Sequence, residues 1–130
     1  MAKRIYLIGS MRNPAIPKLG VALRALGHEV HDECYAPGPN ADDFWREYEI
    51  ARGHTFIQAI AGRHAEEVFG YDKKYLDRAD TVVLLMPAGK SAHLELGYSV
   101  GQGKETHIVL DDTDRWDIMY RFATHVWPNT

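Results

Sequence analysis

Cysteine is almost absent from this chain of 130 residues. The single Cys34 excludes an internal disulfide and is typical of a reducing compartment, so we expect a cytoplasmic protein. No segment approaches the run of about 20 apolar residues that a membrane span needs, and the N-terminus has too few apolar residues for a signal peptide. Basic charge is not in excess either, because the net charge is −3. This balance argues against a polymeric nucleic-acid partner, whereas a small anionic ligand needs only one local site.

Glycine-rich nucleotide motifs are also missing. The first strand-to-helix turn has only Gly9 where the dinucleotide fingerprint needs three glycines, and it lacks a P-loop, so we expect no nicotinamide cofactor and no nucleoside triphosphate. His93 could be a general acid or a metal ligand. Because no second His or Cys stands at ligand spacing from it, we predict no metal site. The turn does contain Ser10, Arg12 and the amides of a helix N-terminus, which can hold a phosphate or a sugar hydroxyl. The alternative is that Ser10 caps the turn and Arg12 is solvated.

Apolar runs alternate with amphipathic segments along the chain. We predict strands near residues 5–8, 29–35, 81–86, 106–110 and 126–127, with helices at 16–26, from 42 onward, at 64–78, from 91 to about 101–103 and at 117–123. Gly27 is expected to close the first helix. Alternating strands and helices favour a parallel sheet covered on both faces. We therefore predict one domain over residues 1–130 with a five-stranded, flavodoxin-like, doubly wound three-layer α/β fold.

Glu95 is the main candidate for chemistry. It lies on the helix that follows the 81–86 strand, and ligands of such folds bind outside the carboxyl ends of the strands. We expect Ser91 to be the N-cap of this helix. The capping-box position would then be residue 94, which is a leucine, so Glu95 has no capping-box role. The alternative is a glutamate favoured by the positive end of the helix.

Asp72 is the candidate second carboxylate, because its segment leads into the strand before Glu95. Two carboxylates at one crevice suit glycosyl transfer, in which one attacks the anomeric carbon and the other assists with protons or orientation. Asp80 stands at a helix-to-strand junction, where a turn role is expected.

An aromatic stripe of Phe44, Trp45 and Tyr48 is by default core packing. The stripe could equally stack on a nucleobase. The polar residues before it in the sequence, among them Asp43, could then hydrogen-bond to the edge of the base.

These features together resemble the nucleoside 2-deoxyribosyltransferase family. The similarity is carried by Ile5-Tyr6-Leu-Ile-Gly9-Ser10, by Asp72 eight residues before Asp80, and by Glu95-Leu-Gly97-Tyr98 followed by Gly103-Lys104. The resemblance implies that Glu95 is the nucleophile that forms a glycosyl-enzyme intermediate and that Asp72 assists at the reaction centre. It also implies that Tyr6 lines the substrate pocket, that no cofactor is required, and that the protein is a homodimer or a higher homo-oligomer.

The resemblance covers transferases, which pass the sugar between bases, and nucleoside 5′-monophosphate N-glycosidases, which pass it to water. Gly9-Ser10-Met11-Arg12 is similar to the phosphate-contacting turn of the hydrolases. Gly89 stands where many transferases have an aspartate that contacts the sugar and many hydrolases a serine, so this contact is expected to be absent or to be replaced by Lys90 or Ser91. The end of the chain at Thr130, without the extension of some transferases, weakens the transfer alternative.

We thus expect an enzyme that cleaves the N-glycosidic bond of (deoxy)nucleosides or their 5′-monophosphates, with transfer to a base or to water left open. The rival hypothesis is a nucleotide-binding module or sensor without turnover, and a third alternative is a flavodoxin-like flavin domain.

Overall fold

The computed structural model describes residues 2–10, 13–32, 41–111 and 116–128. The described strands are β1 (Arg4–Gly9), β2 (Glu29–His31), β3 (Thr81–Leu85), β4 (Glu105–Val109) and β5 (His125–Trp127). The helices are α1 (Ala15–Ala25), α2 (Ala41–Ala51), α3 (Phe56–Ile60), α4 (Arg63–Arg78) and α5 (Lys90–Gly101), and a 3-10 helix covers Ile118–Phe122. Over these ranges, no helix is both long and apolar enough to cross a membrane.

The five strands form one sheet in the order β2-β1-β3-β4-β5, and every neighbouring pair is parallel. This order is that of flavodoxin-like folds, so the predicted fold class is confirmed. The predicted elements also occur near their expected positions. The second strand is predicted to extend to residue 35, and its last three residues, 33–35, lie outside the described residues.

Helices cover both faces of the sheet, because alternate strand residues point to opposite sides. One face packs against α1, and the other packs against α5 and the C-terminal end of α4. The α1 face is formed by Ile5, Leu7, Ile16 and Val83. The α5 face is formed by Tyr6, Ile8, Leu76, Ala79, Val82, Leu84, Ala92, Leu96 and Ile108. Leu84 and Ile108 are fully buried, and burial of each such side chain contributes about 1.5–3 kcal/mol.

Glycines end the helices that flank the sheet. Gly27 has a φ of +94°, which favours glycine, and the next amide, that of His28, donates to the carbonyl of Leu23 at 3.2 Å. Gly103 ends α5 in the same way, with a φ of +78° and an amide of Lys104 that donates to Ser99 at 3.1 Å. The predicted role of Gly27 is confirmed.

The chain divides into two compact units, residues 33–74 and the remainder. The smaller unit contains α2, α3 and residues 63–74 of α4. Its α2 helix carries the predicted aromatic stripe, but Phe44 and Tyr48 are 59% and 55% exposed. The prediction of core packing is therefore wrong for these two residues, because a helical apolar period does not show whether another element covers the stripe. Trp45 is half-buried, with its ring edge-on to Phe56 at 6.3 Å.

Candidate active site

The carboxyl ends of β1 and β3 form the switch point of the sheet, because the chain leaves β1 for the α1 face and leaves β3 for the α5 face. Hydrogen bonds join the two turns that start there. The amide of Ser10 donates to the carbonyl of Pro87 at 3.2 Å, and Nδ2 of Asn13 donates to the carbonyl of Met86 at 3.5 Å. The amide of Met86 donates to Val109 of β4 at 2.9 Å. The two turns are therefore joined by one backbone hydrogen bond and by the side chain of Asn13.

Gly9 allows these turns to approach each other. A Cβ atom on this residue would stand 2.6 Å from the carbonyl oxygen of Leu85 and 2.7 Å from Cδ1 of Ile16. Both distances are well inside van der Waals contact. A glycine is thus required at this position by packing alone, whatever further contact it makes with a ligand.

Glu95 lies in the second turn of α5, on a flank of the helix. The face of α5 that meets the sheet consists of Ala92, Leu96 and Ser99, all buried. Tyr98, three residues after Glu95 and on the same flank, donates from its hydroxyl to Oδ1 of Asp77 at 2.6 Å. The Glu95 flank therefore faces the C-terminal end of α4. The side chain of Glu95 is half-buried and its Oε2 atom is buried.

The start of α5 differs from the prediction. The N-cap is Gly89 rather than Ser91, and the helix begins at Lys90, so Ser91 is an exposed residue of the first turn. Glycine is also an accepted N-cap residue, and the extended backbone of Gly89 (ψ −160°) suits it. Within the described residues, a Cβ on Gly89 would meet nothing within 4 Å. Among the described atoms, open space therefore adjoins the helix start.

His93 joins the start of α5 to the 3-10 helix, an arrangement that sequence reasoning missed. Its Nδ1 lies 2.7 Å from the carbonyl oxygen of Gly89, and its Nε2 lies 2.8 Å from the hydroxyl of Tyr120. The two rings also stack, with centroids 5.6 Å apart. The contact with Gly89 could have been expected from sequence, because residues four apart are neighbours on a helix. The contact with Tyr120 could not, because Tyr120 lies 27 residues away in the sequence.

Tyr6 is a core residue, with 4% of its surface exposed. Its ring stacks on His31 at 5.2 Å, and His31 stacks in turn on Tyr75 at 4.2 Å with nearly parallel planes. The pocket role that the family resemblance implies for Tyr6 stays a prediction.

The site roles of the remaining predicted residues stay predictions. Asp72 is half-buried on α4, and Asp43 is exposed on α2, both within the unit of residues 33–74. Arg12 lies outside the described residues. Gly9, Ser10, Gly89, Ser91 and Glu95 all belong to the sheet-containing unit, on the turns and the helix at its carboxyl edge.

Three further residues that carry the family resemblance have structural roles. Asp80 accepts the amide of Arg4 at 3.2 Å and the hydroxyl of Thr81 at 2.8 Å, so it joins the helix-to-strand junction to the start of β1, and its predicted turn role stays a prediction. Nζ of Lys104 donates to the carbonyls of Leu76 and Asp77 at 2.5 and 3.1 Å. Lys104 thereby caps the C-terminal end of α4, and Tyr98 binds the carboxylate beside it.

A groove at the opposite edge of the sheet is not a better candidate. It is lined in part by Arg4, Glu29, His31, Tyr75 and Arg78. Both arginines already contact the carboxylate of Glu29, at 3.5 Å for Arg4 and 2.8 Å for Arg78. The groove starts at the amino ends of β1 and β2, whereas folds of this class bind ligands at the carboxyl ends. Among the described residues, no group of three or more His, Cys, Asp or Glu is arranged to hold a metal ion.

The strand order and the helices on both faces of the sheet define a flavodoxin-like α/β fold, whose switch point lies between β1 and β3. No family model and no curated protein matches the sequence. Solved structures do match. The CMP N-glycosidase BcmB of Clostridium botulinum superposes with a TM-score of 0.63 at 15% identity, over 98% of this chain and 91% of that one. A 2-deoxyribosyltransferase of Bacillus psychrosaccharolyticus superposes with a TM-score of 0.62 at 19% identity, over 98% and 85% of the two chains. Likeness at these identities shows a shared fold.

Proposed function

We propose that this protein is an enzyme that cleaves the N-glycosidic bond of nucleosides, deoxynucleosides or their 5′-monophosphates. The observation that carries the proposal is the position of Glu95, a half-buried carboxylate on the helix that leaves the sheet at its switch point. The fold is shared with a protein named as a CMP N-glycosidase and with one named as a 2-deoxyribosyltransferase. These names are the two branches of the family that the sequence resembles, which supports the same general chemistry here.

In the proposed reaction, a carboxylate oxygen of Glu95 attacks C1′ of the sugar. The C1′–N bond breaks as the C1′–O bond forms, and the electron pair of the broken bond leaves with the base. The resulting sugar ester is then attacked at C1′ by a second base or by water, which releases Glu95 as a carboxylate. No cofactor enters this sequence of bond changes.

The other assigned residues would bind and orient the substrate. By resemblance, Asp72 orients the sugar or gives a proton to the leaving base. Ser10 and Arg12 are assigned to the 5′ end, where binding energy from a phosphate would help to position the anomeric carbon. The open space at Gly89 leaves room for the sugar beside Ser91. Tyr6, Gly9 and Asp43 complete the proposed set of binding residues, and a homodimer or higher homo-oligomer is part of the same proposal.

The test is chromatography of the free base released from a panel of nucleosides, deoxynucleosides and their 5′-monophosphates, each with and without a second base. We expect base release by the wild type and none by Glu95→Gln, because an amide does not attack C1′. Glu47→Gln is the matched control, since Glu47 is an exposed glutamate on α2. Acid-quenched wild type should also carry the mass of one sugar on the peptide that contains Glu95.

The outcomes separate the alternatives. Base exchange that needs an acceptor would identify a transferase, and release into water would identify an N-glycosidase. Turnover by Glu95→Gln at the wild-type rate would refute the covalent mechanism. Thermal stabilisation by nucleotides without any base release would instead favour the binding module.

A further inference from the structure

We propose that His93 is a positioning residue, which holds the start of α5 and thereby the direction from which Glu95 approaches the sugar. This inference rests on the proposed function, because it concerns the geometry of the same nucleophile. The contacts that carry it lie entirely within the sheet-containing unit.

The first contact restrains a residue that has no side chain of its own. The carbonyl oxygen of Gly89 accepts the backbone amide of His93 at 3.3 Å and its imidazole Nδ1–H at 2.7 Å. A carbonyl only accepts, so Nδ1 carries a proton. Glycine has the freest backbone of any residue, and this one is the N-cap of α5 beside open space. The imidazole thus restrains the carbonyl of Gly89, a residue with no side chain of its own to hold it.

The second contact anchors the ring from its other side. Nε2 of His93 lies 2.8 Å from the hydroxyl of Tyr120, which is also 3.7 Å from Sδ of Met86. In the neutral ring, Nε2 accepts the hydroxyl proton of Tyr120. In the charged ring, Nε2–H donates to the same oxygen, and the hydroxyl then donates to Met86. The anchor therefore persists in both charge states, as a positioning role requires.

The two flanks of α5 are tied to different neighbours. His93 and Glu95 are two residues apart, which places them about 200° apart around the helix. The Tyr98–Asp77 hydrogen bond holds the Glu95 flank, and the His93–Tyr120 hydrogen bond holds the opposite flank. Together they restrain rotation of α5 about its own axis. Rotation moves Glu95 relative to C1′, and a misplacement of about 1 Å can cost about 100-fold in rate.

The experiment separates the two hydrogen bonds of the imidazole. His93→Asn places an amide near the Nδ1 position and keeps the bond to Gly89, whereas His93→Gln places it near Nε2 and keeps the bond to Tyr120. We expect the Asn and Gln variants, which each lose one of the two hydrogen bonds, to lose about 3- to 10-fold in kcat, and His93→Leu, which loses both, to lose about 10- to 100-fold. Tyr120→Phe, which removes one hydroxyl, should resemble Asn. KM should change by less than kcat in every variant, because the substrate contacts remain.

Trp127→Phe is the matched control. It also removes an aromatic hydrogen bond to an imidazole, from Nε1 of Trp127 to Nδ1 of His107 at 3.0 Å, but on the α1 face of the sheet. We expect it to leave kcat unchanged. Melting temperature is measured for every variant on the same preparation.

Wild-type kcat in His93→Leu, with only a lowered melting temperature, would overturn the inference and leave the proposed function intact. An Asn or Gln variant with wild-type kcat would overturn it as well, because the hydrogen bond that the variant lacks would then not be needed to position Glu95. A wild type that releases no base from any substrate would refute the proposed function and remove this inference with it.

Discussion

Gly9→Ala tests whether the crevice depends on the close approach of β1 to β3. Gly9 is the last residue of β1 and pairs in register with Leu85. The new methyl group would stand 2.6 Å from the Leu85 carbonyl oxygen and 2.7 Å from Cδ1 of Ile16. Ile16 is buried in the core, and the obstacle at Leu85 is backbone. Relief therefore needs the ends of the two strands to separate by several tenths of an ångström.

The expected cost follows from two opposing terms. Overpacking of a filled site costs about 1–3 kcal/mol, and we take the upper half of that range because a carbonyl oxygen in a sheet cannot rotate away. Loss of glycine entropy in the unfolded chain offsets about 0.4–1 kcal/mol. The net loss in the free energy of unfolding is then about 1–2.5 kcal/mol. For a chain of this size the melting temperature falls by about 3–5 °C per kcal/mol, or about 3–12 °C in total.

Urea and thermal unfolding measure this effect, with Gly70→Ala as the matched control. Gly70 is an exposed residue inside α4, where a Cβ meets no described atom within 4 Å. The same substitution should therefore stabilise the protein by about 0.5–1 kcal/mol there, because alanine is the better helix former. An unfolding free energy for Gly9→Ala within about 0.5 kcal/mol of wild type would refute the steric argument. Unchanged stability with lost activity would show that Gly9 acts through the ligand instead.

Two further predictions concern other contacts of the sheet-containing unit. Tyr98→Phe removes the hydroxyl bound to Asp77 and should lower the free energy of unfolding by about 1 kcal/mol in urea titrations; an unchanged midpoint would contradict that role. Burial lowers the pKa of His107, against the opposing charge of Glu105, and the bond from Trp127 requires an unprotonated Nδ1. The unfolded chain therefore binds this proton more readily, so stability should fall as pH drops below about 6.5. His107→Gln should flatten that slope, and an unchanged slope between pH 7 and 5 would contradict the assignment.

The parts of the fold that sequence predicts well are those set by local pattern. Strand positions follow from short apolar runs, and the ends of α1 and α5 follow from glycines that accept positive φ. The strand order then follows from chain connectivity and the handedness of crossovers. None of these inferences needs a contact between distant residues.

The parts that sequence predicts poorly depend on such contacts. The helix start at Gly89 is held in part by the side chain of His93, which lies four residues beyond the N-cap. The partner of that side chain, Tyr120, is brought near only by the completed sheet. Phe44 has the spacing of a core residue, yet it is exposed, because spacing within one helix does not show what lies opposite.

The Glu95–Tyr98 segment shows how packing and function divide within one motif. Leu96 is buried in the core, and Tyr98 binds Asp77, so the fold accounts for both. Gly97 is exposed, with no described atom within 4 Å of an added Cβ, and glycine inside a helix costs about 0.5–1 kcal/mol relative to alanine. A half-buried carboxylate at Glu95 likewise loses hydration beside an apolar stripe. Departures from local stability rules concentrate at functional sites. These departures agree with the proposed role of Glu95 as the nucleophile, which the Glu95→Gln variant tests.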